Sequence, residues 1–111
     1  MTVVLDSWAV LRLLEGTEPA ASRIEAVLEG ASQPVMSWIN LGEVFYIVRR
    51  LHGHEAAESV VRDLRPQLDL DLPDATRVLE AATIRAGHSM AYADAFAAAT
   101  ALAHQAPPAH R

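Results

Sequence analysis

Short apolar runs that each lead into helical periodicity predict an α/β fold built on a small parallel sheet. Two of these runs are Thr2–Leu5, rich in β-branched residues, and Pro34–Ser37. A third, Gln67–Leu72, alternates strictly between Leu and a polar residue. Gly or Pro closes the helical stretches at Gly16, Gly30, Gly53, Pro66 and Gly87.

Taken in order, Thr2–Leu5 reads as a buried strand ending at Asp6. Ser7 is the expected N-cap of a helix through Leu14, with Gly16 supplying a left-handed stop. Pro19 opens a second helix with the stripe Ala20, Ile24, Val27 and Leu28, closed at Gly30. After the strand Pro34–Ser37, Leu41, Val44, Phe45, Val48 and Leu51 recur at helical spacing as far as Gly53. A fourth helix runs from His54 to Arg65 and stops at Pro66, which has no N–H to continue it.

In Gln67–Leu72, one face of the strand carries Leu68, Leu70 and Leu72, and Asp69 and Asp71 point the other way. That pattern fits a half-exposed strand at a sheet edge. Pro73 begins a fifth helix that ends at Gly87. A sixth, Met90 to His104 with Ser89 as its expected cap, is apolar on nearly every side. Residues 1–104 thus form a single domain, and 105–111 read as a frayed tail.

The 111 residues are 51% apolar and 21% charged, the profile of a globular domain rather than a disordered segment. With no Cys, thiolate metal sites, disulfides and Cys nucleophiles are excluded. No apolar run reaches the roughly 18 residues that a membrane span needs. The amino terminus lacks the basic start of a signal peptide, so the expected compartment is the cytoplasm. Net charge is −5 and all nine basic residues are Arg. Bulk electrostatic binding to nucleic acid is therefore disfavoured, and any RNA contact must rest on local Arg residues or on metal ions. The same balance favours a basic protein partner.

Three acids occupy positions where acids are awkward. Asp6 follows the first strand, at the end of the sheet where α/β folds gather their functional groups. Its ordinary alternative is a turn or N-cap role. Glu43 flanks the apolar stripe of the third helix; with Asn40 as N-cap it would form a capping box instead. Asp94 is the one acid between Ala81 and Arg111, set in an Ala-rich helix start. A carboxylate there loses hydration unless it faces a cleft, a cation or hydrogen-bond donors. The helix dipole offsets only about 0.3–1 kcal/mol of that cost. If the three converge, they repel one another, and a divalent cation removes the conflict. Oxygen-only ligands favour Mg²⁺ or Mn²⁺ over zinc. Other signals are weaker. His52 and His54 flank Gly53 in what reads as an exposed turn, and Trp8 and Trp38 read as core.

The segments VVLDSWAVLRLL, WINLGEVFY and MAYADAFAAATA, in that order and spacing, resemble a PIN domain and, more closely, VapC-type toxins of bacterial toxin–antitoxin pairs. The similarity runs from Thr2 to His104. It implies a three-layer α/β fold, with a short parallel sheet flanked by helices, and a metal-dependent endoribonuclease neutralised by a cognate antitoxin. By the resemblance, Asp6, Glu43 and Asp94 match the family acids and Ser7 the hydroxyl that follows the first. Asp6 and Asp94 then hold Mg²⁺ or Mn²⁺, and Glu43 assists through water or direct contact.

The family pattern continues into a further strand and a TGDP-like turn with a fourth acid, whereas Leu102–Arg111 contains neither. Three expectations follow: the final strand or strands are missing, metal binding is weaker, and the first strand has an open edge. A homodimer partner, a swapped segment or the antitoxin is expected to cover that edge. The competing expectation is a catalytically impaired remnant that only binds antitoxin. A phosphatase or dehalogenase of the aspartyl-nucleophile type is disfavoured, because Trp8 stands where its second Asp belongs.

Overall fold

A computed structural model of the chain describes residues 2–105. Three strands, β1 (Val4–Leu5), β2 (Val35–Ser37) and β3 (Asp69–Asp71), form a parallel sheet in the order β1–β2–β3. Six helices follow the expected alternation: α1 (Ser7–Glu15), α2 (Ala20–Glu29), α3 (Trp38–His52), α4 (His54–Leu64), α5 (Ala75–Gly87) and α6 (Tyr92–Ala103). Gly16 does end α1 in the left-handed conformation, at φ 70°. A 3-10 turn, Arg65–Gln67, links α4 to β3. The strands are shorter than the runs that announce them: β1 and β2 take up only the last residues of theirs, and β3 only the middle of its own.

The register explains the layering. Val4 pairs with Val35 and Leu5 with Met36, while Val35, Met36 and Ser37 face Asp69, Leu70 and Asp71. Successive side chains point to opposite sides of a sheet. Leu5, Met36 and Leu68 accordingly join Val10, Leu41, Val44 and Leu64 in one core beneath α1–α4. Val4 and Val35 pack on the other side against Ala101 of α6. A separate seam of Ala81, Ala95, Phe96 and Ala99 holds α5 to α6, and its small side chains let the two helices approach closely. The result is three layers with the sheet in the middle.

Among the described residues, β1 and β3 are the sheet edges, as the sequence predicts for both. Two details differ. Leu72 is 77% exposed, so the apolar face of β3 ends at Leu70. Asp69 is exposed as expected, but Asp71, on the same face, is half-buried by Arg77 of α5 and His104 at the end of α6. The tail expected at 105–111 lies, from residue 106 on, outside the described residues. No helix among the described residues is long and apolar enough to cross a membrane.

Candidate acidic site

The carboxyl ends of β1 and β2 run into α1 and α3 without an intervening loop, so the side chains at these junctions are fixed by helix geometry. Asp6, not Ser7, is the N-cap of α1: its Oδ1 accepts from the Ala9 N–H at 2.8 Å, and the residue is only 7% exposed. Ser7 is instead the first helical residue and is buried. Its hydroxyl donates to the Asn40 carbonyl at 3.2 Å and accepts from Asn40 Nδ2 at 3.1 Å.

The capping box, the ordinary alternative for Asn40 and Glu43, does not form. Ser37 caps α3, its Oγ accepting from the Ile39 N–H at 3.2 Å, and the helix starts at Trp38. Starting that early carries Asn40 into the first turn and turns its side chain inward, where it is fully buried. Besides Ser7, Asn40 Nδ2 donates to the Ala93 carbonyl at 2.9 Å. Glu43 lies three residues further along α3 and is half-buried. Its Oε2 accepts from the Tyr46 hydroxyl at a long 3.5 Å, while Oε1 is buried without a hydrogen-bond partner.

Asp94 is the third residue of α6 and half-buried. Ser89 does not cap this helix, which begins two residues later than the sequence suggests, with Ala91 at its cap position. Ala91 has no side chain to offer the first turn, so Asp94 is the acidic group nearest the positive end of that helix. One buried amide, Asn40, therefore touches the residue after Asp6 and the residue before Asp94, one turn from Glu43.

Among the described residues, no three His, Asp or Glu side chains already close around one point as a finished cation cage. The chemistry of the set nevertheless suits a hard divalent ion, because every candidate donor is an oxygen. A carboxylate oxygen such as Glu43 Oε1, buried with no donor, calls for a cation or a water to satisfy it.

A second charged cluster lies at the end of β3. Asp71 Oδ1 meets Arg77 Nη1 at 2.8 Å and Asp71 Oδ2 meets His104 Nε2 at 2.9 Å. Arg77 also reaches Thr100 Oγ1 at 3.3 Å and Glu80 at 3.3 Å. Burial pushes the Asp71 carboxyl up, but the hydrogen bonds from His104 and Arg77, together with their charge, outweigh it and leave its pKa below 3.8. Sequence reading did not single out Arg77, because no local pattern links it to Asp71 or to His104. Of the remaining expectations, the turn at Gly53 is indeed exposed, with His54 paired to Glu58 at 2.6 Å. Trp8 is not core but 42% exposed. Trp38 is half-buried, with the Arg65 guanidinium 5.0 Å from its ring centre.

These features define a three-layer α/β domain whose acids sit where β1 and β2 meet their helices and at the start of α6. The PIN-domain family profile matches residues 3–110, and the chain belongs to that family. Ribonuclease VapC36 of Mycobacterium tuberculosis and the VapC ribonuclease Mb2004c of Mycobacterium bovis are each 33% identical to it over 84 residues. The match takes in 76% of this chain, which spans about 60% of the length of these curated relatives. Solved structures share the fold, among them the following two. One is VapC20 of Mycobacterium tuberculosis, described as a Sarcin-Ricin loop cleaving toxin, with TM-score 0.74, 17% identity, and coverage of 94% of this chain and 84% of that one. The other is a toxin–antitoxin complex from Klebsiella pneumoniae, with TM-score 0.76, 19% identity, and coverage of 98% and 85%.

Proposed function

We propose that this chain is a VapC-like endoribonuclease toxin that hydrolyses RNA phosphodiesters with Mg²⁺ or Mn²⁺ and is restrained by a cognate antitoxin. The observation that carries the reading is the Asn40 amide, whose two hydrogen bonds join the flanks of Asp6 and Asp94 across three helices. Asp6 and Asp94 are the residues to hold the ion, which when bound supplies a polarised water and neutralises charge building on the phosphate. Glu43 orients the attacking water and takes its proton with its carboxylate. The water oxygen bonds to phosphorus as the bond to the 3′ oxygen breaks, leaving a 3′-hydroxyl and a 5′-phosphate; the departing oxygen is protonated from solvent.

The antitoxin is read from the solved toxin–antitoxin relatives and from the net charge of −5, which favours a basic partner. A groove of about 460 Å³ between α1, α3 and α4 offers apolar surface at Leu14, Ile47 and Leu51, with Glu15 beside them. Such a surface suits an amphipathic segment bearing Arg or Lys.

The test is Mn²⁺-dependent cleavage of structured RNA by the purified chain, with Asp94→Asn as control. Cleavage lost in the variant supports the mechanism, and cleavage equal to wild type overturns it. A second reading, an antitoxin-binding module without catalysis, draws on the lack of a finished three-acid cage among the described residues. It is favoured if wild type binds antitoxin but cleaves no RNA.

A further inference from the structure

Asn40 is polar, fully buried and in the first turn of a helix that already has a cap, so neither solvation nor capping explains it. Its orientation is fixed by chemistry. The Ala93 carbonyl can only accept a hydrogen bond, so the atom facing it at 2.9 Å must be the amide nitrogen. The same nitrogen reaches Ser7 Oγ at 3.1 Å, and the Ser7 hydroxyl returns a bond to the Asn40 backbone carbonyl at 3.2 Å. Three elements distant in sequence are thus held by one side chain. Its remaining atom, Oδ1, is buried and has no hydrogen-bond partner. Leaving an acceptor bare costs about 1–3 kcal/mol. An Asn kept at that cost is one whose donor fork does something apolar packing cannot.

We infer that Asn40 is a positioning residue whose amide clamps the first turns of α1 and α6 onto α3 and so sets the spacing of Asp6 and Asp94. The inference rests on the reading that those two acids hold the cation. Asn40 touches neither ion nor RNA and acts only through the helices that carry the acids. Supporting groups of this kind typically change metal affinity by 10- to 100-fold when removed.

The test compares Asn40→Leu, nearly the same shape without donors, with Leu64→Ala, which loosens the core on α4 away from the acids. Mn²⁺ binding to each purified chain is followed by calorimetry beside thermal melts. Asn40→Leu is expected to bind Mn²⁺ about tenfold more weakly or worse, while Leu64→Ala loses stability but keeps wild-type affinity. Wild-type affinity in Asn40→Leu, or an equal loss in Leu64→Ala, overturns the inference. If Asn40→Leu fails to fold, Ser7→Ala removes one arm only and must still weaken Mn²⁺ binding. If wild type takes up no Mn²⁺, the cation reading fails, and the clamp is judged separately by amide exchange. Asn40→Leu must then speed exchange in the first turns of α1 and α6 beyond any change seen in Leu64→Ala; equal protection sinks the clamp as well.

Discussion

Asp71 and Arg77 meet at 2.8 Å with both side chains only 15% exposed, and the pair ties the end of the edge strand β3 to the helices that cover it. His104 approaches the second carboxylate oxygen from the end of α6. The edge strand, α5 and the far end of α6 are therefore joined through one carboxylate.

That junction predicts a specific acid dependence of stability. Folding lowers the Asp71 pKa from its ordinary 3.8, so its contribution is complete above that value and is lost as pH falls through the lower folded pKa. Urea melts should show Asp71→Asn less stable than wild type by about 1–2 kcal/mol at pH 6. The gap should hold down to about pH 4 and close below it. A gap that widens on acidification would contradict the assignment.

Asp6 has two separable duties. Its side-chain oxygen caps α1, and in the proposed mechanism its negative charge holds the ion. Asn at position 6 keeps the acceptor and loses the charge, whereas Ala loses both. Asp6→Asn is expected to melt near wild type and Asp6→Ala to lose about 1 kcal/mol, with cleavage abolished in both. Cleavage surviving in Asp6→Asn would reduce Asp6 to a cap.

Glu43 is a point where function and stability oppose each other. A buried acceptor without a donor destabilises the metal-free fold, so Glu43→Met is expected to raise its stability by about 1 kcal/mol or more. The same change should abolish cleavage. Thermal melts without added metal read the first effect and RNA assays the second; a destabilised Glu43→Met would show that Oε1 is already satisfied.

The fold was legible where a signal is local. Gly16 announced its left-handed stop, and the apolar runs before Asp6 and before Trp38 marked β1 and β2. What failed was choice among adjacent equivalents: Asp6 and Ser7 are both good caps, and only the length of β1 decides which one is used. The capping box at Asn40 failed for a related reason. Ser37 belongs to both strand and cap, so α3 begins before any loop residue can advertise it. At the candidate site the three acids stood out by type and setting, but Asn40 did not. Its partners, Ser7 and Ala93, lie 33 and 53 residues away, and no periodicity encodes a contact at that range. Asp71 points away from the leucines, as the alternation predicts, yet nothing nearby reveals that His104 at the end of α6 returns to meet it.

The direct passage from β2 into α3 leaves this part of the chain without slack. Adding a single residue between Ser37 and Trp38 would turn the whole helix by about 100° relative to the sheet. Asn40 and Glu43 would swing off their present bearings together, while the apolar stripe would lose its match to the core. An added residue in the stretch 31–33, which belongs to no helix or strand, has no such lever arm. An added residue should therefore be tolerated better in the connection before β2 than at the β2–α3 junction, which accepts a change of residue more readily than a change of count.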